Sequence, residues 1–295
     1  MIVYLNGRLM PLEQARISPL DRGFIFGEAI YEGLRAFVPP GAREPRIVGA
    51  RLHAERMNAG LAAAGIGFNA FTLLEPTLEM LRANRMPEAF VYWQVSGGTP
   101  GAGDPPRYRV APAGIEPTVF MYCSAQPALA GLGGSGSPPR RRVIVAQDVR
   151  WMLGQMKSTS LMGNVHVARL AAAAGADEAV LVRDAKVVEG LATNVVMVVE
   201  RGGREEVVTP TLDSAPMLAG VTRRLLLDFA PEIVERPVLE VEVATAREVM
   251  MVGTTTYVTA CTHVDGRAVG DGDAGPAARR LFAALMDGIL AGRDV

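Results

Sequence analysis

Lysine is almost missing from this sequence: Lys and Arg together number 30, yet only Lys157 and Lys186 are lysines. Cysteine is as scarce. Cys123 and Cys261 stand far apart in no Cys-x-x-Cys spacing, which excludes a disulfide framework and a cysteine zinc site and points to a reducing compartment. No run of about 18 apolar residues occurs. "MIVYLNGRLMPLEQARISPL" is broken by Asn6, Gly7, Arg8 and Pro11 before a signal-type segment develops, so a cytoplasmic protein is expected. The net charge of -1 and pI near 6.4 give no long-range attraction to nucleic acid or anionic membrane. No GxxxxGK[ST] is present, and "GLGGSG" (Gly131 to Gly136) is followed by Ser-Pro-Pro and no helix, so neither phosphate loop forms. His53, His166 and His263 are isolated from one another and from acidic clusters, and no metal site is expected.

What is present suits a small-molecule enzyme. A chain of 295 residues, 49% hydrophobic, buries enough for two domains. "MIVYLNGRLM" reads as a hairpin about Asn6-Gly7 and "FIFGEAIYEGLRAF" as a buried strand, while "RLHAERMNAGLAAAG" and "PTLEMLRANRM" read as helices. "AFVYWQVSGG" and "PTVFMYCSA" return to strand composition. "QPALAGLGGSGSPP" loses all periodicity and reads as a linker, giving a small N-terminal domain 1–124, a linker 125–139 and a larger domain 140–295. The second half holds short strands with turns at Asp184-Ala185 and Gly202-Gly203, the helix "MLAGVTRRLLLDFA", and a closing amphipathic helix "GPAARRLFAALMDGIL". Strands and helices mix in both halves without the strict alternation of a doubly wound fold, an α/β composition of α+β type.

An Arg-rich composition makes the surviving lysines informative. Lys186 lies in the polar turn "RDAKV", whereas Lys157 sits among Leu153, Met156 and Leu161 in "WMLGQMKSTSLMGN". Desolvation lowers a lysine pKa and exposes a nucleophilic amine, which a guanidinium never supplies. From the residues alone, a Schiff-base lysine and a snorkelling structural lysine both remain open.

"MKSTSLMGNVHVARLAAAAGADEAVLVRDAKVVEGLATNVVMV" resembles the fold-type IV, or class IV, pyridoxal-phosphate aminotransferases, which include branched-chain and D-amino-acid aminotransferases and aminodeoxychorismate lyase. Ordered segments extend the resemblance along most of the chain: "ARISPLDRGFIFGEAIYEGLRAF", "HAERM", "VVEGLATN", "LAGVTR" and "VGTTTYVT". It implies a two-domain fold, a small N-terminal α/β domain and a larger C-terminal domain with a barrel-like sheet core and helices. It also implies that Lys157 joins pyridoxal 5'-phosphate as a Schiff base and then moves the substrate proton. Glu189 falls where the family's carboxylate faces the pyridine nitrogen, with Thr193 and Asn194 beside it on the cofactor side. Arg56 takes the family's arginine position. Gly220, Val221 and Thr222 open a helix whose free N–H groups favour a phosphate dianion, and Gly253 and Thr254 add an amide and a hydroxyl.

Strand alternation places Tyr31, Gly33, Arg35 and Phe37 on one face of "YEGLRAF", and Tyr92, Gln94 and Ser96 on one face of "VYWQVS". The resemblance implies that Tyr31, Arg35, Tyr92, Gln94 and Thr255 meet substrate. Departures from the family concern the substrate. No Arg-x-His carboxylate trap follows Gly98-Thr99, Met162 stands where a tyrosine is usual, Gln94 where many members have arginine, and Tyr257 where the family has glutamate. Arg107 or Arg109 is a displaced cation or a solvated loop residue. The expected activity is amino transfer between an amino acid, branched-chain or hydrophobic in the leading reading, and a 2-oxo acid. D-amino acids or primary amines come next, and an aminodeoxychorismate-type lyase is more distant. A homodimer is implied, with each pocket finished by the partner's loop "GTPGAGDPP".

Overall fold

The computed structural model describes residues 1–105, 107–129, 131–132 and 136–294. Parts of the stretch 131–136 and of the expected linker 125–139 lie outside the described residues. The chain forms two compact units. The first takes Met1–Leu129 together with Met156–Ser160, and the second takes the remaining described residues through Asp294.

Unit 1 is a six-stranded sheet built from β1 (Ile2–Leu5), β2 (Arg8–Pro11), β3 (Ala29–Phe37), β4 (Arg46–Ile47), β5 (Ala89–Ser96) and β6 (Thr118–Ala125), ordered β2-β1-β6-β5-β3-β4. Its pairs are antiparallel. Alternation along "AFVYWQVS" sends Ala89, Val91, Trp93 and Val95 into the core and leaves Phe90, Tyr92 and Gln94 half-buried on the opposite face. The core side is covered by α2 (Ala50–Ala64), which buries His53, Ala54, Met57, Gly60 and Leu61 along one helical stripe, and by α3 (Leu74–Asn84). The buried Trp93 indole N–H donates to Thr77 Oγ1 at 2.8 Å, and that hydroxyl donates on to Leu73 O at 2.7 Å, so no polar group in this contact is stranded.

The expected strand over 24–37 begins only at Ala29. Asp21 accepts from Gly23 N at 2.8 Å and caps a short helix α1 (Arg22–Phe26), which Gly27 ends in a left-handed conformation. Arg22 is buried under this turn, donating to Glu28 and to the carbonyls of Tyr108 and Arg109.

Unit 2 holds a nine-stranded mixed sheet, ordered β12-β11-β10-β13-β14-β7-β8-β9 with β15 on β14. Its strands are β7 (Arg140–Gln147), β8 (Glu178–Arg183), β9 (Lys186–Gly190), β10 (Asn194–Arg201), β11 (Arg204–Pro210), β12 (Val234–Arg236), β13 (Glu248–Gly253), β14 (Tyr257–Val264) and β15 (Arg267–Ala268). The sheet curls until β9 lies beside β10, as a half-barrel. Val195 to Val199 of β10 are buried on both faces because the inner face packs on itself and helices cover the outer one. The described helices here are α4 (Met162–Ala173), α5 (Val221–Phe229), α6 (Glu240–Thr245) and α7 (Pro276–Leu290). None of the described helices is long and apolar enough to cross a membrane.

One buried ionic network joins α2 to β3. Glu32, on the core face of β3, lies 2.7 Å from His53 Nδ1 and accepts from Arg56 Nε at 2.8 Å and Arg56 Nη2 at 2.7 Å. His53 is thus not isolated from acidic groups, contrary to the sequence reading. Burial raises the Glu32 carboxyl, but Arg56 and His53 outweigh it and hold it at about 2, below its ordinary 4.5. Burial likewise pushes His53 below 6.5 against the opposing pull of Glu32.

Both shifts mean that the unfolded chain binds more protons in acid, so stability falls as pH drops below 6.5 and again from 4.5 toward about 2. Glu32→Gln is expected to cost about 3 kcal/mol at neutral pH and to flatten the lower window, as read from urea unfolding across pH; an undiminished slope there contradicts the assignment. The β8–β9 turn offers the opposite test. Asp184 and Ala185 both have positive φ, 50° and 57°, so Ala185→Gly is expected to raise stability by about 1 kcal/mol in the same titration.

Candidate functional site

The Lys157 segment is held by main-chain bonds to the start of β3. Tyr31 N–H donates to Lys157 O at 2.9 Å, Thr159 N–H donates to Ala29 O at 3.0 Å, and Ile30 bridges Ser158. Met156 packs against the unit 1 core, and Lys157 Nζ stands 4.6 Å from the centroid of the Tyr31 ring. This ring and Met156, rather than Leu153, supply the apolar setting. Leu153 is 43% exposed because its part of the chain does not pack inward.

Tyr31 is the first of a row of rings on the half-buried face of unit 1. It stacks on Tyr92 with centroids 5.6 Å apart, and Tyr92 stacks on Tyr122 at 5.1 Å; Phe90 and Phe120 flank Tyr122. Tyr92 donates to Gln94 Oε1 at 2.8 Å, and burial among these rings pushes its phenol above the ordinary range, keeping it neutral. The face is therefore aromatic and uncharged apart from the Lys157 amine. Arg56 is mostly buried, oriented by its ion pair to Glu32. Arg35 departs from the expectation of an open substrate contact. It is 1% exposed, because Nη2 turns to Glu88 at 2.5 Å and to Pro127 O.

In unit 2 the expected cofactor residues converge where β9, β10 and β13 end. Glu189 Oε2 accepts from Leu218 N at 3.1 Å and Asn194 Nδ2 at 3.4 Å, and Asn194 Nδ2 also donates to Leu218 O at 3.0 Å. Gly220 precedes α5, and a Cβ there would lie 1.9 Å from Asn194 Oδ1, so only glycine lets the helix start this close to the strand. Val221 and Thr222 form the buried first turn of α5, with no side-chain cap on its N–H groups. Thr193 is buried and donates to Glu178 Oε1 at 2.8 Å; a Cβ on Gly253 would meet Thr193 Cγ2 at 3.2 Å. Thr254, half-buried, and Thr255, exposed, form the hairpin loop after Gly253. Tyr257 closes that loop with φ +54°, a conformation costing an aromatic residue about 1 kcal/mol or more, and is 6% exposed.

Two members of these arrangements were not singled out from sequence. Arg150 lies in a buried fork, with Nη1 2.6 Å from Glu189 Oε1 and Nε 2.8 Å from Asp148 Oδ1. Burial lowers the Arg150 pKa but the two carboxylates outweigh it, so the guanidinium is firmly charged beside Glu189. Nothing in a stretch of sequence signals a pairing made 39 residues away. Glu32 did carry a signal: it is the acid between Ile30 and Leu34 in an inward-facing strand register. Arg107 and Arg109 are exposed, with Arg107 5.6 Å from the Phe26 ring centroid, and Met162 is exposed at the start of α4.

The geometry is thus a positioned amine on an aromatic face, a charged carboxylate–guanidinium pair, and an uncapped helix start. The family model Amino-transferase class IV matches residues 29–264. The chain is 29% identical over 298 residues to the D-alanine aminotransferase of Bacillus licheniformis, covering 98% of each. It is 27% identical to the probable branched-chain-amino-acid aminotransferase of Aquifex aeolicus, covering 94% of this chain and 89% of that one. The fold is shared with the branched-chain aminotransferase of the archaeon Thermoproteus uzoniensis, solved with norvaline, which superposes with a TM-score of 0.83 at 24% identity over 100% of this chain and 96% of the other. The mixed α/β fold and the family match agree, and the chain belongs to the class IV aminotransferases, enzymes that transfer amino groups.

Proposed function

We propose that the protein is a pyridoxal 5'-phosphate-dependent transaminase that moves the amino group of branched-chain or other hydrophobic L-amino acids to a 2-oxo acid. The observation that carries this reading is the Lys157 amine set against an uncharged row of rings, Tyr31, Tyr92 and Tyr122. Such a face accepts an apolar side chain beside the reacting amine and offers nothing to an ionic one.

The donor set fits the cofactor. Lys157 is the amine that holds its aldehyde carbon and later carries a proton to and from the substrate α-carbon. Glu189 accepts the pyridine N–H, and Arg150 keeps that carboxylate ionised. The cradle that a Cβ on Gly220 would fill, with the N–H groups of Val221 and Thr222, suits a phosphate dianion. Thr254 and Arg56 complete that charge complement, while Thr193 and Asn194 brace the strand ends. When bound, the cofactor supplies an electron sink for the α-carbon. Tyr31, Tyr92, Gln94 and Thr255 line the substrate side.

A homodimer accompanies this reading, supported by the exposed apolar residues Phe24, Tyr108 and Val110 of unit 1. D-amino acids are the second reading, supported by the similarity to D-alanine aminotransferases. The purified enzyme, assayed with panels of L- and D-amino acids and amines against 2-oxoglutarate and pyruvate, is expected to turn over L-leucine, L-isoleucine or L-valine. Turnover of D-alanine with none of these three reverses the order. Lys157→Ala is expected to lose at least about a thousandfold in kcat and the cofactor's visible absorbance, and borohydride fixation followed by peptide mapping should label residue 157.

A further inference from the structure

A transaminase receives two substrates in turn at one place, and a hydrophobic donor and a dicarboxylic acceptor make opposite demands on it. The cation that would bind a distal carboxylate is absent from its usual positions: Gln94 stands in one, and no Arg-x-His follows Gly98-Thr99. One guanidinium on the ring-bearing face of unit 1 has donors to spare. Arg35 is anchored through Nη2 alone, while its Nε and Nη1 are buried with no hydrogen-bond partner among the described residues. Two stranded N–H groups on one cation cost far more than a packing residue needs to spend, and they match a carboxylate in kind and number.

Strand alternation places Tyr31, Gly33 and Arg35 in sequence on the same face of β3, with the Lys157 amine at the Tyr31 end. What lies between is Phe90. Across the β3–β5 pair Phe90 stands opposite Arg35, and a Cβ built on Gly33 would meet its ring at 2.8 Å and 3.2 Å. The ring therefore occupies the gap that Gly33 leaves, between the amine end and Arg35. Glu88 holds the guanidinium in place, and is itself fixed by the N–H groups of Val38 and Leu129.

We propose that Arg35 is the receptor for the distal carboxylate of a dicarboxylic 2-oxo acid, and that the Phe90 ring over Gly33 is a movable cover. With the ring down, the face is apolar and accepts a hydrophobic donor. With the ring turned aside, the free Nε and Nη1 bind the second carboxylate of the acceptor. The assignment rests on the transaminase reading above and names its acceptor class.

Glutarate and pentanoate share a five-carbon chain and differ by one carboxylate, so the ratio of their affinities for the cofactor-loaded enzyme, measured calorimetrically, isolates the Arg35 contribution. Wild type is expected to favour glutarate by about tenfold. Phe90→Ala should raise that ratio severalfold by uncovering the guanidinium while weakening pentanoate, and Arg35→Gln should bring it to about one. A ratio unmoved in Phe90→Ala, or retained in Arg35→Gln, overturns the assignment. Should Arg35→Gln fail to fold, Phe90→Ala decides alone. Transamination of the same donor with 2-oxoglutarate and with pyruvate separates the two claims: normal turnover with an unmoved ratio sinks only Arg35, whereas a ratio that moves as expected in an enzyme that turns over no hydrophobic amino acid sinks only the donor reading.

Discussion

Main-chain pairing between the first residues of β3 and the segment Met156–Ser160 is the constraint from which the unit 1 face follows. The Tyr31 N–H bond to Lys157 O sets the lysine backbone against the strand, and the side chain then has one ring to lie over. These bonds use no side chain, so they hold the amine in place whatever the neighbouring residues are, and an amine held in advance loses little freedom when it reacts. Because β3 alternates, the same strand that presents Tyr31 on one face buries Glu32 on the other, where His53 and Arg56 secure α2.

Arginine carries the internal charge throughout. Arg22 ties α1 to the carbonyls of Tyr108 and Arg109, Arg56 meets both oxygens of Glu32, Arg150 bridges Asp148 and Glu189, and Arg223 joins Pro210 O to Glu235. A planar guanidinium reaches several acceptors at once and stays protonated under burial, which an ammonium does not. A protein that builds its interior from guanidinium forks leaves its amine chemistry to one side chain. The scarcity of lysine and the isolation of Lys157 on an uncharged face are two sides of that arrangement.

Much was legible before any coordinate. The Asn6-Gly7, Asp184-Ala185 and Gly202-Gly203 turns all take the positive φ that two-residue hairpins require, and the helix after Gly220 starts where "LAGVTR" says it should. The strand over 24–37 was overextended, since Phe24 and Phe26 carry strand composition while the Asp21 cap dictates a helical turn. Leu153 was read as a neighbour of Lys157 by proximity in sequence, yet the apolar contact is Tyr31, more than a hundred residues earlier.

Local chemistry by itself determined where the chain turns, which strand faces are apolar and which single amine is available, because those properties depend on residues a few positions apart. Tertiary structure alone decided that Arg150 charges the environment of Glu189, that Arg35 turns inward to Glu88, and that Phe90 lies over Gly33. Each is a contact between distant segments, and its energy comes from burial and pairing that exist only once the sheets have closed.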